Sequence, residues 1–373
     1  MSGFIYCSFL ENYRVGFSLD CSALEGMLYL NDRLIARRKL RKDSRNHKIK
    51  FNLEDFDARG IYKVKVILGD NTIIEETVNQ FSLYQRRYFN EKYTYNGELG
   101  AIYSKDKTTF NLWAPICSSV ELRVYNSGTP LAIDKELGDD SMLFSIPMSY
   151  IDRGVWSAVI DGDLEGKYYN YVITNYKNKN IEVVDPYAKS CGISGIRGMI
   201  VDFSKTNPKG WEDIKPHPYK RTEIVVYETH ISDITSSSSW INDIKKLKYQ
   251  KKFKGAYIEG TSFSLNGITV KTGFDHIKEL GVNVVQLLPF FDRANDETKM
   301  VFNWGYNPLN YNTLEGSYSM NPYDGYERIR EFKGLVKAYN EAGINIIMDV
   351  VYNHVFDAYK SNFEIITPGY YFR

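Results

Sequence analysis

The sequence predicts a multidomain protein in which two all-β units precede the first part of a TIM (β/α)8 barrel. In the first half of the chain, short alternating apolar and polar segments are separated by Gly, Asn and Asp, as in antiparallel strands. After residue 222 the pattern changes to apolar, β-branched runs that alternate with helical spacings, which is typical of a parallel sheet. The length of 373 residues suits two or three domains.

The composition excludes several classes of protein. The 47 basic and 46 acidic residues nearly balance, so no overall positive charge favours nucleic acid or a membrane surface as partner. The four cysteines show no C-x-x-C spacing and are expected to be reduced thiols. No signal peptide and no membrane span are visible in the sequence, so we expect a cytoplasmic protein. The aromatic content of 15% suits sugar binding, although it also suits an ordinary tyrosine-rich β protein.

Residues 1–90 are predicted to form a small all-β domain. Asp70 and Asn71 lie between two apolar runs and predict a hairpin turn. The basic stretch 33–50 is expected to protect an exposed strand edge, with a polyanion site as the alternative. The predicted strand regions are 26–35, 46–53, 60–69 and 71–78.

Residues 91–206 are predicted to form a β-sandwich. Alternating segments at 120–125, 156–160 and 168–173 recur with turn residues between them, as in sandwich strands. Prolines and a glycine then predict a linker at residues 207–222.

Residues 223–373 are predicted to begin an α/β barrel. Apolar runs at 224–228, 282–289 and 344–351 predict three buried strands. Helical spacings at 268–280 and 326–342 lie between them, and each is followed by a glycine suited to a helix C-cap. The right-handed crossover rule makes these three strands parallel, whereas a closed barrel needs eight.

A candidate ligand site follows the third predicted strand. Asp349, Asn353 and His354 occur where that strand ends, and in α/β barrels such positions face the active-site mouth. The loop 302–311 is rich in aromatic, Gly, Pro and Asn residues. It predicts an aromatic wall beside polar groups, as in small-ligand sites, with simple packing over the barrel mouth as the alternative.

Four motifs together resemble type I pullulanases, the α-1,6 debranching members of the α-amylase superfamily (glycoside hydrolase family 13). They are Tyr-Glu-Thr-His at 227–230, Asn-Trp-Gly-Tyr-Asn-Pro at 303–308, Glu-Gly-Ser-Tyr at 315–318 and Asp-Val-Val-Tyr-Asn-His at 349–354. The resemblance covers about residues 93–373, and the run at 303–308 is its most specific part. Residues 113–115 resemble the starch-binding, early-set β-sandwich of these enzymes. Phe302 departs from the family, which usually has Tyr there.

The resemblance implies a branched α-glucan as substrate and a retaining double-displacement mechanism, while the charge balance already gives no reason to expect a nucleic-acid or membrane partner. Tyr306 would stack on a glucose ring beside the scissile bond, and His354 would hydrogen-bond to the same sugar. Asp349 and Asn353 would orient the site, and Trp304 would form part of its wall. His230 matches a family motif, and core packing is as good an explanation for it as sugar contact.

The resemblance also implies what this chain does not supply. The family's catalytic carboxylates follow the fourth, fifth and seventh barrel strands, so we expect them beyond Arg373 and assign no catalytic residue here. The expectation is therefore a fragment of a pullulanase-type hydrolase that is inactive alone. No metal ligand or cofactor is assigned, and calcium is left open. The alternatives are a non-catalytic α-glucan-binding or regulatory protein, and an isoamylase or glycogen-branching relative.

Overall fold

The computed structural model describes residues 3–299 and 301–372, which form three successive groups of sheets. Two antiparallel β groups come first and a parallel α/β group follows, in the predicted order. Cys7, Cys21, Cys117 and Cys191 are free thiols. Among the described residues, no helix combines the length and the apolarity that crossing a membrane requires.

In the first group, a three-stranded sheet β1–β2–β5 and a four-stranded sheet β4–β3–β6–β7 share one core. Phe9 and Phe17 from one sheet and Val64 from the other are fully buried there. The single strand region predicted at 26–35 is wrong, because Asn31 and Asp32 form a tight turn with φ of 46° and 65° between β3 and β4. The elements are β1 (Phe4–Leu10), β2 (Arg14–Leu19), β3 (Ala23–Leu30), β4 (Arg33–Lys39), β5 (Asn46–Lys50), β6 (Tyr62–Leu68), β7 (Ile73–Thr77) and α1 (Arg87–Tyr93).

The second group is a sandwich of two antiparallel sheets. The order in one sheet is β12–β13–β9–β8, and in the other β11–β10–β14–β15, where β16 also pairs with β14. Side chains from both sheets meet in one core that includes Phe110, Leu122 and Tyr169. The strands are β8 (Gly100–Tyr103), β9 (Lys107–Trp113), β10 (Ser119–Tyr125), β11 (Met142–Pro147), β12 (Ser149–Asp152), β13 (Val155–Asp161), β14 (Tyr168–Thr174), β15 (Ile181–Val183) and β16 (Gly198–Met199).

The third group contains a parallel sheet of order β17–β20–β23, with Val285 of the central strand opposite Tyr227 and Ile346. Phe274 of α2 and Leu335 and Tyr339 of α3 pack in the same core as the central strand. The elements are β17 (Val226–Thr229), β18 (Ser262–Leu265), β19 (Ile268–Lys271), α2 (Gly273–Glu279), β20 (Val284–Leu287), β21 (Phe291–Arg293), β22 (Pro308–Leu314), α3 (Gly325–Glu341), β23 (Asn345–Met348) and α4 (Asn362–Ile366).

The helix predicted at 268–280 is wrong in its first part. Asn266 and Gly267, with φ of 50° and 78°, form the turn of a β18–β19 hairpin, which is what such a dipeptide favours. Ile268 therefore belongs to a strand and is 69% exposed, and α2 begins only at Gly273.

The segment predicted as a linker, residues 207–222, packs along α3 and β23. The Lys333 ammonium donates to Asn207, and Asn340 Nδ2 donates to the Lys215 carbonyl at 2.8 Å. The His217 amide donates to Asn345 Oδ1 at 2.9 Å. These contacts fix the path of the chain between the sandwich and the parallel sheet.

Residues 362–371 join all three groups. Ile366 lies in the core of the sandwich, and Asn175 Nδ2 of the sandwich donates to the Ile365 carbonyl at 2.9 Å. Tyr84 Oη of the first group donates to the Pro368 carbonyl at 3.0 Å. The Tyr370 ring lies 5.0 Å from the Trp113 ring between centroids. This segment, which follows β23 in the chain, therefore ties the end of the third group to both β groups.

Candidate functional site

The aromatic loop 303–308 begins with a close backbone approach. Gly305 has a φ of +93°, and a Cβ at this position would lie 2.2 Å from the Pro289 carbonyl oxygen, which follows β20. Its amide donates to Asn303 Oδ1 at 2.8 Å, which closes a turn within the loop. Glycine is required here because a side chain would have no space and would disfavour the left-handed backbone.

Tyr306 and Asp349 meet across the mouth of the parallel sheet. Tyr306 Oη donates to Asp349 Oδ2 at 2.5 Å, and the Asp349 amide donates to the Leu287 carbonyl of β20 at 2.9 Å. Burial, and then the Asp349 carboxylate, raises the pKa of Tyr306 to about 12. The phenol therefore stays protonated at neutral pH and acts as a hydrogen-bond donor.

His354 holds the backbone of the same tyrosine. Its Nε2 lies 2.7 Å from the Tyr306 carbonyl oxygen, and because a carbonyl only accepts, Nε2 carries the proton. Tyr311 Oη donates to the His354 carbonyl at 2.9 Å, and Asn353 Oδ1 lies 3.3 Å from His354 Nδ1. The structure thus brings together four predicted site residues, Tyr306, Asp349, Asn353 and His354.

Several aromatic rings stand exposed around this group. Trp304, on the same loop as Tyr306, is 63% exposed, and Phe302 is 58% exposed. Tyr352 is 75% exposed and lies 5.4 Å from the Tyr311 ring between centroids. Such rings offer apolar faces, next to polar groups, that match the faces and hydroxyls of a sugar.

His230 lies beneath the loop and is 3% exposed. Its Nε2 is 2.9 Å from the Asn303 carbonyl oxygen and 2.8 Å from Tyr318 Oη, and Ser232 Oγ is 2.8 Å from its Nδ1. Burial lowers the pKa of His230, so the ring is neutral at pH 7. Its sugar contact stays a prediction, and the observed contacts anchor the aromatic loop.

Two polar side chains at the ends of the parallel strands were not predicted from the sequence. Gln286 Nε2 of β20 donates to Glu228 Oε2 of β17 at 2.7 Å. Each of the two residues interrupts an apolar run near the carboxyl end of its strand. A polar residue at such a position was the sequence signal that could have predicted this pair. Tyr311 was also not singled out, although it holds the His354 backbone.

A buried charged cluster, also not predicted, lies behind the aromatic loop. It contains the carboxylates of Asp292, Glu297 and Glu315, which are 0–1% exposed and whose oxygens lie within 4.8 Å of one another. Glu297 accepts from the Ser194 amide at 2.7 Å and from the Gly316 amide at 2.8 Å. The cluster therefore connects the sandwich to the loop after β22.

The cluster does not fit a divalent cation, because two guanidinium groups already supply positive charge. Arg328 makes two hydrogen bonds to the Glu297 carboxylate, at 3.3 and 3.2 Å. Arg293 Nε lies 3.8 Å from Glu315 Oε2. Burial, and then the neighbouring Glu297 and Glu315, raises the pKa of Asp292 well above its usual range. The Arg328 and Arg293 guanidinium groups already lie beside Glu297 and Glu315, so these two carboxylates have cationic partners without a metal ion.

Comparison with known proteins agrees with this organisation. Residues 98–188 match the model for carbohydrate-binding module 48 (isoamylase N-terminal domain). Residues 203–365 match the model for the alpha amylase catalytic domain. The first match falls within the sandwich region, and the second contains the parallel sheet and the candidate site.

Several pullulanases are similar to this chain in sequence and in structure. The pullulanase of Bacillus subtilis (strain 168) is 36% identical over 293 residues, covering 76% of this chain and 37% of that protein. The Paenibacillus barengoltzii pullulanase, solved with maltohexaose and alpha-cyclodextrin, is 38% identical with a TM-score of 0.70 over 78% of this chain and 43% of its own. The Anoxybacillus sp. LM18-11 pullulanase, solved with maltotetraose, is 30% identical with a TM-score of 0.77 over 99% of this chain and 50% of its own. The chain thus spans about two fifths to one half of these relatives.

Proposed function

Since this chain belongs to the pullulanase-type glycoside hydrolases of the alpha-amylase superfamily, we propose that it acts as part of an enzyme that cleaves α-1,6 branch linkages in α-glucans. Pullulan, glycogen and starch limit dextrins are the proposed substrates, and the mechanism is a retaining double displacement. The observation that carries the proposal is the group formed by Tyr306, Asp349 and His354, in which Tyr306 lies on the loop most specific to pullulanases.

The chain's share of the reaction is substrate positioning. Tyr306 offers its ring face to a glucose unit, while its hydroxyl is held by Asp349 at 2.5 Å. His354 is exposed, and Asn353 beside it adds amide donors and acceptors for sugar hydroxyls. Trp304 extends the aromatic wall. Because rings and donors are already fixed to one another, little conformational freedom is lost when the sugar binds.

The domain organisation that supports this function has four parts. We propose a small β domain at 1–90, a starch-binding-type sandwich at 91–206, a packed connecting segment at 207–222 and a barrel portion at 223–373. The contacts of residues 362–371 with both β groups support a rigid arrangement, in which the sandwich presents glucan to the site.

The test is hydrolysis of pullulan by the full-length protein that contains this chain, with release of maltotriose as the readout. Tyr306→Ala is expected to lower kcat/KM by about 100-fold, because a displaced sugar ring loses its reactive geometry. Tyr6→Ala is the matched control, since Tyr6 is 41% exposed on β1, outside the candidate site. Unchanged kcat/KM in Tyr306→Ala would contradict the proposed positioning role.

The same assay separates the alternatives. A full-length protein that debranches glycogen but releases no maltotriose from pullulan would favour an isoamylase-type activity. If the full-length protein binds glycogen but hydrolyses neither polymer, the result would favour a non-catalytic glucan-binding protein. The match at residues 98–188, taken by itself, supports that function.

A further inference from the structure

A strongly basic surface lies in the first group of sheets, outside the candidate site. Residues 33–50 hold nine of the 47 basic residues and one of the 46 acidic residues, a net charge of +8. The rest of the chain has 38 basic and 45 acidic residues, a net charge of −7. We call seven exposed cations of this segment the basic strip: Arg38, Lys39, Arg41, Lys42, Arg45, Lys48 and Lys50.

The basic strip is continuous from β4 through the connecting turn to β5. Arg38 Nη1 of β4 donates to the Lys48 carbonyl of β5 at 2.6 Å, which brings the two strands together. In β5, His47 and Ile49 are buried while Lys48 and Lys50 are exposed, so the two lysines share one face about 7 Å apart. Arg14 of β2 is exposed and pairs with Lys50, which extends the surface.

Internal ion pairs do not account for the basic strip. Two other arginines of the segment are paired, Arg33 with Asp55 at 3.0 Å and Arg37 with Glu25 at 3.3 Å. Within residues 3–299 and 301–372, none of the seven strip cations has a carboxylate within 4.0 Å. The seven like charges repel one another, and this repulsion is relieved when an anion binds.

A second lysine-rich segment, residues 245–254, differs from the basic strip in how its charges are used. Lys252 Nζ donates to the Ser317 carbonyl at 2.8 Å, and Lys248 and Lys254 lie over tyrosine rings at 5.0 and 4.5 Å from the centroids. Most of these lysines contact their own fold. The basic strip, by comparison, presents its charges to solvent.

The residues and charges around the basic strip limit which class of anion it can bind. Residues 33–50 contain no Phe, Tyr or Trp, whereas single-stranded nucleic acids are bound through aromatic stacking. The net charge of −7 on the rest of the chain opposes approach to an anionic bilayer. Phosphate monoesters spaced along a neutral polymer can be reached by mobile lysine and arginine side chains. Because the polymer itself is uncharged, it is not repelled by the negative charge on the rest of the chain.

We propose that the basic strip binds phosphate monoesters carried on α-glucan chains. The glucan part of this statement rests on the proposed function, and the phosphate part rests on the strip alone. The amino-terminal domain then recruits phosphorylated regions of the polymer, while the sugar-binding site engages its glucose units.

The test compares binding of the full chain to chemically phosphorylated glycogen and to the same glycogen after phosphatase treatment. In about 50 mM salt we expect about tenfold tighter binding of the phosphorylated form, since four exposed ion pairs of ordinary strength give this factor. The advantage is expected to disappear in about 500 mM salt, where the screening length falls to roughly 4 Å. The variant R41Q/K42Q/R45Q/K48Q is expected to lose the advantage and keep its affinity for the dephosphorylated glycogen.

The control variant K209Q/K215Q/K245Q/K248Q removes the same charge from exposed lysines elsewhere and is expected to keep the advantage. Triple replacement R38K/R41K/R45K keeps the charge and is expected to bind as the wild type does. Equal binding of the two glycogens overturns the phosphate inference and leaves the proposed function standing. Absent binding of dephosphorylated glycogen counts against the proposed function instead. Equal affinity for polyphosphate or anionic vesicles, or salt-dependent self-association, overturns the assignment to glucan phosphate.

Discussion

The strands of the sandwich and those of the parallel sheet are similarly apolar in sequence, yet they differ sharply in burial. In β14 the first six residues, 168–173, are all buried, and Ile173 is 0% exposed. In β17 Val226 is 48% exposed, and in β23 Ile347 is 43% exposed. An apolar, β-branched run therefore predicts a strand, whereas its burial depends on which layers pack against it.

The two regions also differ in how they bury charge. The sandwich buries the single carboxylate of Asp185 among hydroxyls, with Tyr169 Oη at 2.8 Å and Tyr171 Oη at 3.3 Å. The loops around the parallel sheet bury three carboxylates beside two guanidinium groups. The stability that the sandwich gains from its buried carboxylate therefore depends on pH. The stability of the charged cluster in the loops depends on the presence of each charged partner.

The largest expected effect is in the charged cluster. Arg328→Met removes the bidentate partner of Glu297 and leaves an uncompensated buried charge, which costs about 3–5 kcal/mol. Segment-resolved hydrogen exchange is expected to show faster opening around β22 and α3, with β14 much less affected. Equal loss of protection in both regions would break the distinction between them.

A matched pair of truncations measures the difference in burial directly. Ile173→Ala, at a fully buried position of β14, is expected to lower the opening free energy of its strand by about 2–5 kcal/mol. Ile347→Ala, at the exposed position in β23, is expected to cost less than about 1 kcal/mol. Hydrogen exchange of both strands provides the measurement. Equal losses of opening free energy in β14 and β23 would mean that burial does not decide how much each side chain stabilises its strand.

The pH dependence of the sandwich gives the next largest effect. Burial raises the pKa of Asp185 to about 6, so the folded chain keeps a proton that the unfolded chain releases near pH 4. Stability then falls as pH rises from about 4 to 6, by up to about 3 kcal/mol for this group. Asp185→Asn is expected to flatten this part of the profile, as melting temperatures of wild type and variant across pH 4–7 would show. A constant difference between them would contradict the shifted pKa.

The smallest effect is expected at the candidate site. Tyr306→Phe deletes one partly exposed hydrogen bond to Asp349 and keeps the ring, so the loss is about 1 kcal/mol. Exchange of the amides at 303–307 is expected to quicken by roughly fivefold, while exchange in β14 stays as in the wild type. Unchanged exchange in the loop would show that the contacts of His354 and His230 hold it without the Tyr306 hydroxyl.

Local patterns predicted much of this molecule. The helix predicted at 326–342 is observed at Gly325–Glu341, and Gly343 has the left-handed φ of +77° that a C-cap glycine adopts. The wrong boundaries arose at Asn31-Asp32, a tight turn inside the strand region predicted at 26–35, and next to Asn266-Gly267, whose turn pairs residues 268–271 with β18. At both positions the preference of these residues for a tight turn outweighed the apolar pattern from which the element was predicted.

The site was predicted in part for a physical reason. Residues at the ends of neighbouring parallel strands share one edge of the sheet, so Tyr306, Asp349 and His354 could be expected to meet. The Glu297–Arg328 pair could not, because its members belong to separate loops and no local spacing links them. The deep burial of His230 likewise depends on how the loop folds back over it.

The segment 362–371 has a consequence for the order of folding during synthesis. Tyr84 and Pro368 are 284 positions apart, so their hydrogen bond cannot form until the ribosome has added that length of chain. At about 5–20 residues per second this takes on the order of 15–60 s. During that interval the faces of the first two β groups around Tyr84 and Trp113 stay uncovered, and the sandwich core waits for Ile366.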